Sequence, residues 1–386
     1  MTREKTRRLL PTGLRLAPSQ VWGNIRLVPV LRDEVRGDLR FARRTYDDAL
    51  AVVSLKGGLM EPGLKYVSYV PHGLVMSWDN KQAEVVAGTR LQKPDGKVLK
   101  AGPFTVRVMH RMARREDKNR LRLLPLHLAM EGFLAMHFGG PEVAWTEYSQ
   151  EALSHGLDPR SEWSVPGWAS AAFDEALRVF EIHEQQVGVL IFKADMLLSA
   201  CIVSHPEDYR ALHRALLEDF YGELLLQYGF LANAADLWLS IDDQRVASMA
   251  DLRDAVGRMR RDWADFQGFM AGGLFGAEVT TSTVYEAGPF HLERFVTSLV
   301  PSEENHIGEV IVRADGTLEY LKTYRLSAAQ TRRAYLLKQL AGAGWNLERA
   351  AAGLKTTRED LVVRLHNAGF GYLLKESVLR EALRHA

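Results

Sequence analysis

The stretch "VGVLIFKADMLLSACIVSH", residues 187–205, is apolar almost from end to end. It alternates poorly, and it offers no polar face to water. The first half, rich in Val, Ile and Phe, suits a central strand covered on both faces of a sheet, although periodicity alone leaves a buried helix open. The flanks decide what surrounds it. Upstream, residues 20–125 carry short β-branched or aromatic segments such as "NIRLVPVL", "AEVVAGTRL" and "FTVRVMH", separated by turn sequences such as "KGG", "PHG" and "KPDGK". Downstream, "HPEDYRALHRALLEDFYGELLLQYG" is patterned as a helix: Glu207 and Asp208 near its start, Leu212, Leu216 and Leu217 on one face, Gly229 near its end. Strands followed by helices in this order predict an α+β fold.

Further helices are expected in "LHLAMEGFLAMHFGG" (126–140), in "PGWASAAFDEALRVFEIHEQQ" (166–186) and in "MADLRDAVGRMRRDWADFQGFMAGG" (249–273). Between 277 and 326 the pattern returns to strands. "HIGEVIVRADGTLEYLKTYRL" reads as a hairpin, because Asp315-Gly316 favours the turn that two twisted strands need. Three units follow: a strand-rich module with packed helices over 1–232, a smaller α+β segment over 233–322, and a helical unit over 323–386 with its own core.

Composition narrows the partners. Lys and Arg number 49 against 48 Asp and Glu, so no global field draws the chain to nucleic acid or membrane, and attraction has to be local. Cys201 is the one cysteine, which excludes a disulfide framework and a cysteine-based zinc site; its apolar surroundings make it a core residue. The opening "MTREKTRRLLPTGLRL" is basic but lacks the apolar run of a signal peptide, and no stretch of about 18 apolar residues occurs. A cytoplasmic protein without membrane contact is expected.

The sharpest motif is "NLERAAAGLKTTREDLVVRLHNAGFGYLL", residues 346–374. Ser327 can cap a preceding helix carrying Leu336, Leu337 and Leu340 and ending near Gly344. Asn346 then caps a short helix in which Ala350 and Ala351 permit close packing. Thr357, with Asp360 three residues on, starts a third helix carrying Leu361 and Leu365, and Gly369 ends it. The spacing Asn346, Arg349-Ala350-Ala351, Leu354, Arg358, Leu361, Leu365, Gly369 resembles the Fis-type helix-turn-helix of bacterial transcription factors. That resemblance implies a three-helix unit, used as a homodimer, whose last helix enters the major groove of double-stranded DNA. Lys355, Thr357, Arg358, Arg364, His366 and Asn367 are the expected DNA-contacting residues, Arg358 and Arg364 on phosphates.

Two departures weigh against tight DNA binding. Lys355-Thr356 replaces the small and aliphatic residues usual in the turn. Val362 and Val363 stand where such modules carry Lys and Arg, while Glu359 and Asp360 lie near the helix start; phosphate contacts supply most of the affinity, and acids remove it. The unit is still basic, with eleven Lys or Arg against five Asp or Glu between Thr323 and Ala386. An exposed Val362–Val363 pair would instead suit contact with a protein, such as another component of a defence system. Burial against the rest of the chain is the ordinary structural alternative.

The segments "WGNIRLVPVL", "RLRLLPLHLAMEGFLAMHFGG" and "QVGVLIFKADMLLSACIVSHPEDYRALHRALLEDFYGELLLQYG" resemble the bacterial ARPP-type domains. That group is linked by genome context to ADP-ribosylglycohydrolases and phosphatases in conflict-type gene clusters. The resemblance implies a regulatory or defence setting and brings no catalytic residues or cofactor with it.

Chemistry is therefore sought residue by residue. His127 and Glu131 lie one helical turn apart and His137 follows, but two histidines four apart are lacking, so hydrogen bonding or solvation outweighs a metal. His205, Tyr209 and His213 flank a helix start that suits an anion; Glu207 and Asp208 already occupy it, which favours a structural cap. Glu181, His183 and Glu184 precede the buried segment, where strand ends can face a cleft. Phosphate-loop, nucleophile-elbow, dinucleotide and kinase patterns are all absent. The basic run "HRMARREDKNRLRL" (110–123) reads as a solvated hairpin, with nucleic-acid contact beside the basic N-terminus as the other reading. The expectation is a non-enzymatic regulator whose N-terminal module senses or binds a partner and whose tail contacts DNA. A protein-docking adaptor ranks second, and a hydrolase using His127, Glu131, His183 or His205 third.

Overall fold

The computed structural model describes residues 4–40, 180–219 and 241–385, with isolated positions 138, 178 and 225 and short strand segments between 44 and 165. Within it, Val187–His205 is neither one long strand nor a helix. It forms most of a hairpin, β5 (Gln186–Lys193) and β6 (Met196–Ile202), turning at Ala194 with φ 50°. Such a left-handed turn position normally holds glycine, so the sequence carries no turn signal there.

The hairpin lies inside a ten-stranded antiparallel sheet. Its other members are β1 (Glu4–Arg8), β2 (Leu14–Leu16), β3 (Gln20–Trp22), β4 (Ile25–Arg32), β7 (Glu278–Ala287), β8 (Phe290–Val296), β9 (Asn305–Arg313) and β10 (Leu318–Leu326). The order across the sheet is β1, β7, β8, β9, β10, β6, β5, β4, β2, with β3 also paired to β4. Pro29 sits in β4 where the partner on that side changes: β3 pairs Ile25 to Leu27, and β2 pairs Val30 to Arg32. A residue without an N–H is tolerated at such a break. At Asp315-Gly316 the expected hairpin joins β9 to β10; Gly316 takes φ 87°, and Arg313 N–H donates to Thr317 O at 2.9 Å.

Both faces of this sheet are covered, which is why β5 is buried almost throughout and reads as an unbroken apolar run. On one face Val189, Ile191, Cys201, Ile307, Tyr320 and Tyr324 join one core with Leu212 and Leu216 of α1 (Pro206–Asp219). On the other, Leu190, Phe192, Val310 and Leu321 pack with Leu9, Ala271 and Leu274. Helix α2 (Met249–Met270) is capped by Ser248, whose side chain accepts from Asp251 N–H. Its Trp263 donates to Ser19 Oγ at 2.7 Å, and Arg26 lies 5.2 Å over the Trp263 ring.

The sheet joins strands from both sides of 232/233, because β10, which itself spans 322/323, pairs with β6. Strand patterning shows where strands are and not which sheet they join. The helix expected over 166–186 has ended by Phe180, and Gln186 already belongs to β5. The helix over 126–140 lies outside the described residues except Phe138, which is helical. After β10 come α3 (Ala328–Gly342), α4 (Leu347–Gly353), α5 (Arg358–Leu365) and α6 (Glu376–His385). Leu337, Leu340, Ala350, Ala351, Leu361 and Leu365 share the core of the first face with Tyr320 and Tyr324. The tail is thus packed onto the sheet, and its core is continuous with that of the larger unit.

Candidate functional site

The tail is built by local rules that the sequence states clearly. Ser327 accepts from Gln330 N–H, and the Gln330 side chain accepts from Ser327 N–H, a complete capping box on α3. Gly344 follows α3 with φ 64°. Asn346 caps α4 through Arg349 N–H at 2.8 Å, and Thr357 caps α5 through Asp360 N–H at 3.1 Å. The α4–α5 joint turns at Lys355, which takes φ 55°. Gly369 holds φ 82°, and a Cβ there would sit 2.9 Å from Arg333 Nη1, whose guanidinium lies 4.6 Å over the Phe370 ring.

The residues singled out for contact separate into two groups. Lys355, Thr357, Arg364, His366 and Asn367 are exposed. Arg358 is half-buried among carboxylates: Nε is 3.1 Å from Glu348, and Nη1 is 3.7 Å from Glu359 and 3.9 Å from Glu381 of α6. Its Nε has no hydrogen-bond partner in line, so the contact with Glu348 is one of charge. Arg358 thus stands beside three carboxylates of the tail, which share its charge. Val362 requires a correction. It is 0% exposed, on the helix that packs against α6, so it is a core residue and cannot form an exposed valine pair with half-buried Val363. The outward reading of Val362 comes from the resemblance, whose modules carry Lys and Arg at these positions.

The histidines of the larger unit are structural where the chain is described. His205 Nδ1 accepts from Glu207 N–H at 3.2 Å, and burial, followed by the nearby Arg40 charge, holds its pKa below the ordinary value. Glu207 and Asp208 are both held by Arg40, at 2.9 and 3.0 Å, so the start of α1 is closed to an anion. Tyr209 and His213 share a 3.0 Å hydrogen bond in the core, and burial lowers the His213 pKa to about 4. Glu181 exchanges backbone hydrogen bonds with the Gln20 side chain, and His183 belongs to the turn into β5, so their backbones make the connection into that strand. His127, Glu131 and His137 lie outside the described residues. Among the described residues no group of three or more His, Cys, Asp or Glu is placed to hold a metal ion. Burial pushes the Cys201 thiol up to about 12, so it is no nucleophile at neutral pH. In the basic run, Ala113–Glu116 pairs antiparallel with Arg120–Leu123, placing Glu116 opposite Arg120.

Pattern reading missed a row of charge inside the core. Register places Arg294, Glu309, Lys322 and Cys201 side by side across β8, β9, β10 and β6, with Glu309 1% and Lys322 2% exposed. Burial lowers the Arg294 pKa, and Glu309, 3.7 Å away, opposes the shift. Arg313 is similarly enclosed by Asp38 and Glu319. In an alternating strand such residues read as solvent-facing; only the helices laid over the sheet bury them.

The fold and its surfaces define an α+β chain, a large antiparallel sheet carrying a small helical tail, with no helix among the described residues long and apolar enough to cross a membrane. The family model ARPP-2 matches residues 9–288, and the chain belongs to the ARPP-2 family. It is also similar to sphingosine kinase 1 of Rattus norvegicus, at 26% identity over 174 residues, covering 40% of this chain and 43% of that one. The chain thus matches less than half the length of that curated relative. No solved structure matches it significantly.

Proposed function

We propose that this ARPP-2 chain is a non-enzymatic regulator in a bacterial defence system, and that its helical tail is a helix-turn-helix contacting duplex DNA. The observation that carries the reading is the exposure of Lys355, Thr357, Arg364, His366 and Asn367 along α5 and its flanks, with α5 started by the Thr357 cap. Lys355 and Arg364 meet phosphates; His366 and Asn367 reach bases or backbone. In a homodimer two such helices would read half-sites roughly one helical turn of DNA apart.

Labelled duplex DNA titrated with the full-length chain at about 50 and 200 mM salt tests this, since several phosphate contacts change affinity by orders of magnitude over that range. Lys355→Ala with Arg364→Ala is expected to weaken binding and to flatten the logarithmic salt slope by about 2, roughly one for each contact. Arg358→Ala should have the smaller effect. Identical isotherms for the wild type and the double variant would refute the assignment.

One observation favours a second reading. Glu359 and Asp360 stand beside Arg364 on the open side of α5, and Val363 is half-exposed there. A surface of this kind suits a basic protein partner better than a phosphate chain, and it supports an adaptor that docks through the same helix if DNA binding fails the salt test.

A further inference from the structure

The basic N-terminus has no part in the reading above, yet the fold gives it a definite place. β1 lies at one edge of the sheet and β2 at the other, yet only Leu9–Gly13 join them, so the sheet curls until its two edges approach, and this short strap bridges them with Leu9 buried in the core of the inner face. Where this strap passes the β9–β10 turn it leaves a cleft of about 280 Å³. Arg7, Arg8, Thr12 and Thr317 provide its polar lining, with Asp315 and Leu318 beside them.

Three observations bear on what fits. First, the cations are incompletely used. Arg7 donates through Nη2 to Glu293 at 2.8 Å, but its Nε is buried without a hydrogen-bond partner, and Arg8 is exposed with no ion-pair partner among the described residues. The exposed Arg8 guanidinium, with no carboxylate of the described residues on it, is free to take an anion through its N–H fork. Second, the acid in the wall is already engaged: Asp315 pairs with Arg36 at 3.0 Å and accepts from Thr317 N–H at 2.9 Å. Third, the volume falls just below the roughly 300–1,000 Å³ usual for ligand pockets, which limits the occupant to a small molecule or a single group.

We infer that this cleft binds a phosphate group, held by the guanidinium groups of Arg7 and Arg8 and the hydroxyls of Thr12 and Thr317. Arginine suits the task because its planar fork matches phosphate oxygens and stays charged at all physiological pH values. The phosphate could belong to a small monoester or to a nucleic-acid backbone, and the apolar side of the cleft favours the monoester, which can rest a small organic body on exposed Leu10. This site is remote in sequence from the helical tail and is independent of the DNA reading.

The test is isothermal titration of the full-length chain with inorganic phosphate, phenyl phosphate and a short duplex oligonucleotide, at fixed ionic strength. The comparison proteins are Arg8→Ala, Thr317→Val and, as a control in the tail, Arg364→Ala. Saturable binding of both small phosphates is expected, weakened at least tenfold by Arg8→Ala and unchanged by Arg364→Ala. Since Arg8 is exposed, its variant should melt like the wild type; if it does not, Thr317→Val carries the comparison. Absence of saturable binding, or equal binding by all variants, would overturn the proposal. Binding of the oligonucleotide alone, sensitive to Arg8→Ala, would overturn the monoester assignment and move the strap to a nucleic-acid surface.

Discussion

Replacing Val362 by alanine distinguishes a core residue from a docking residue. Val362 is fully buried on α5, on the helix that packs against α6, where Ala382 is also buried. The substitution removes two methyl groups. At about 0.8 kcal/mol for each, the lost burial is about 1.6 kcal/mol, and the residual cavity raises the total to about 2 kcal/mol. Val363→Ala, at a half-buried position, should cost less than about 1 kcal/mol. Denaturant titrations of the full-length chain, followed by far-ultraviolet circular dichroism, give the comparison: a lower midpoint at unchanged slope for Val362→Ala and a small shift for Val363→Ala. If the tail opens before the sheet, hydrogen exchange of α5 and α6 amides reports the same difference locally. A Val362→Ala chain as stable as the wild type but deficient in binding a partner protein would refute the core assignment and restore the valine-docking reading.

Two further outcomes follow from the buried sheet. His213 has a pKa of about 4 in the fold against 6.5 ordinarily, so the unfolded chain takes up its proton first as pH falls. The associated stability is complete above about pH 6.5 and declines toward pH 4, by at most about 3 kcal/mol. A His213→Gln chain should therefore lose less stability than the wild type between pH 7.5 and 4.5, and parallel losses would contradict this. In β9, a Cβ on Gly308 would press on the Lys322 carbonyl oxygen and lie 2.8 Å from Thr323 Cα, whereas one on Gly13 meets nothing within 4 Å. Gly308→Ala should cost about 3 kcal/mol or abolish folding, and Gly13→Ala only about 1 kcal/mol for its positive φ. Similar melting temperatures for the two would contradict the close strand approach.

The placement of the caps shows what local sequence determines here. Ser327, Asn346 and Thr357 each stand one residue before a helix, and each caps the helix that follows, because a cap depends on atoms within four residues. The Asp315-Gly316 turn and the amphipathic pattern of α1 and α2 are local in the same way. The apolar continuity of Val187–His205 likewise implied burial on two sides, since no face of it could meet water. Tertiary structure decided the rest. Arg40 meets Asp208 across 168 positions and Arg313 meets Asp38 across 275, and no spacing rule reaches that far. Glu309 and Lys322 alternate as surface residues do, and become core residues because helices cover that face of the sheet. Val362 stands at an outward position of the motif, yet it is fully buried in the folded chain. The short-range chemistry of turns and caps is written in neighbouring residues, whereas the environment of a side chain is set by elements that only the folded chain brings beside it.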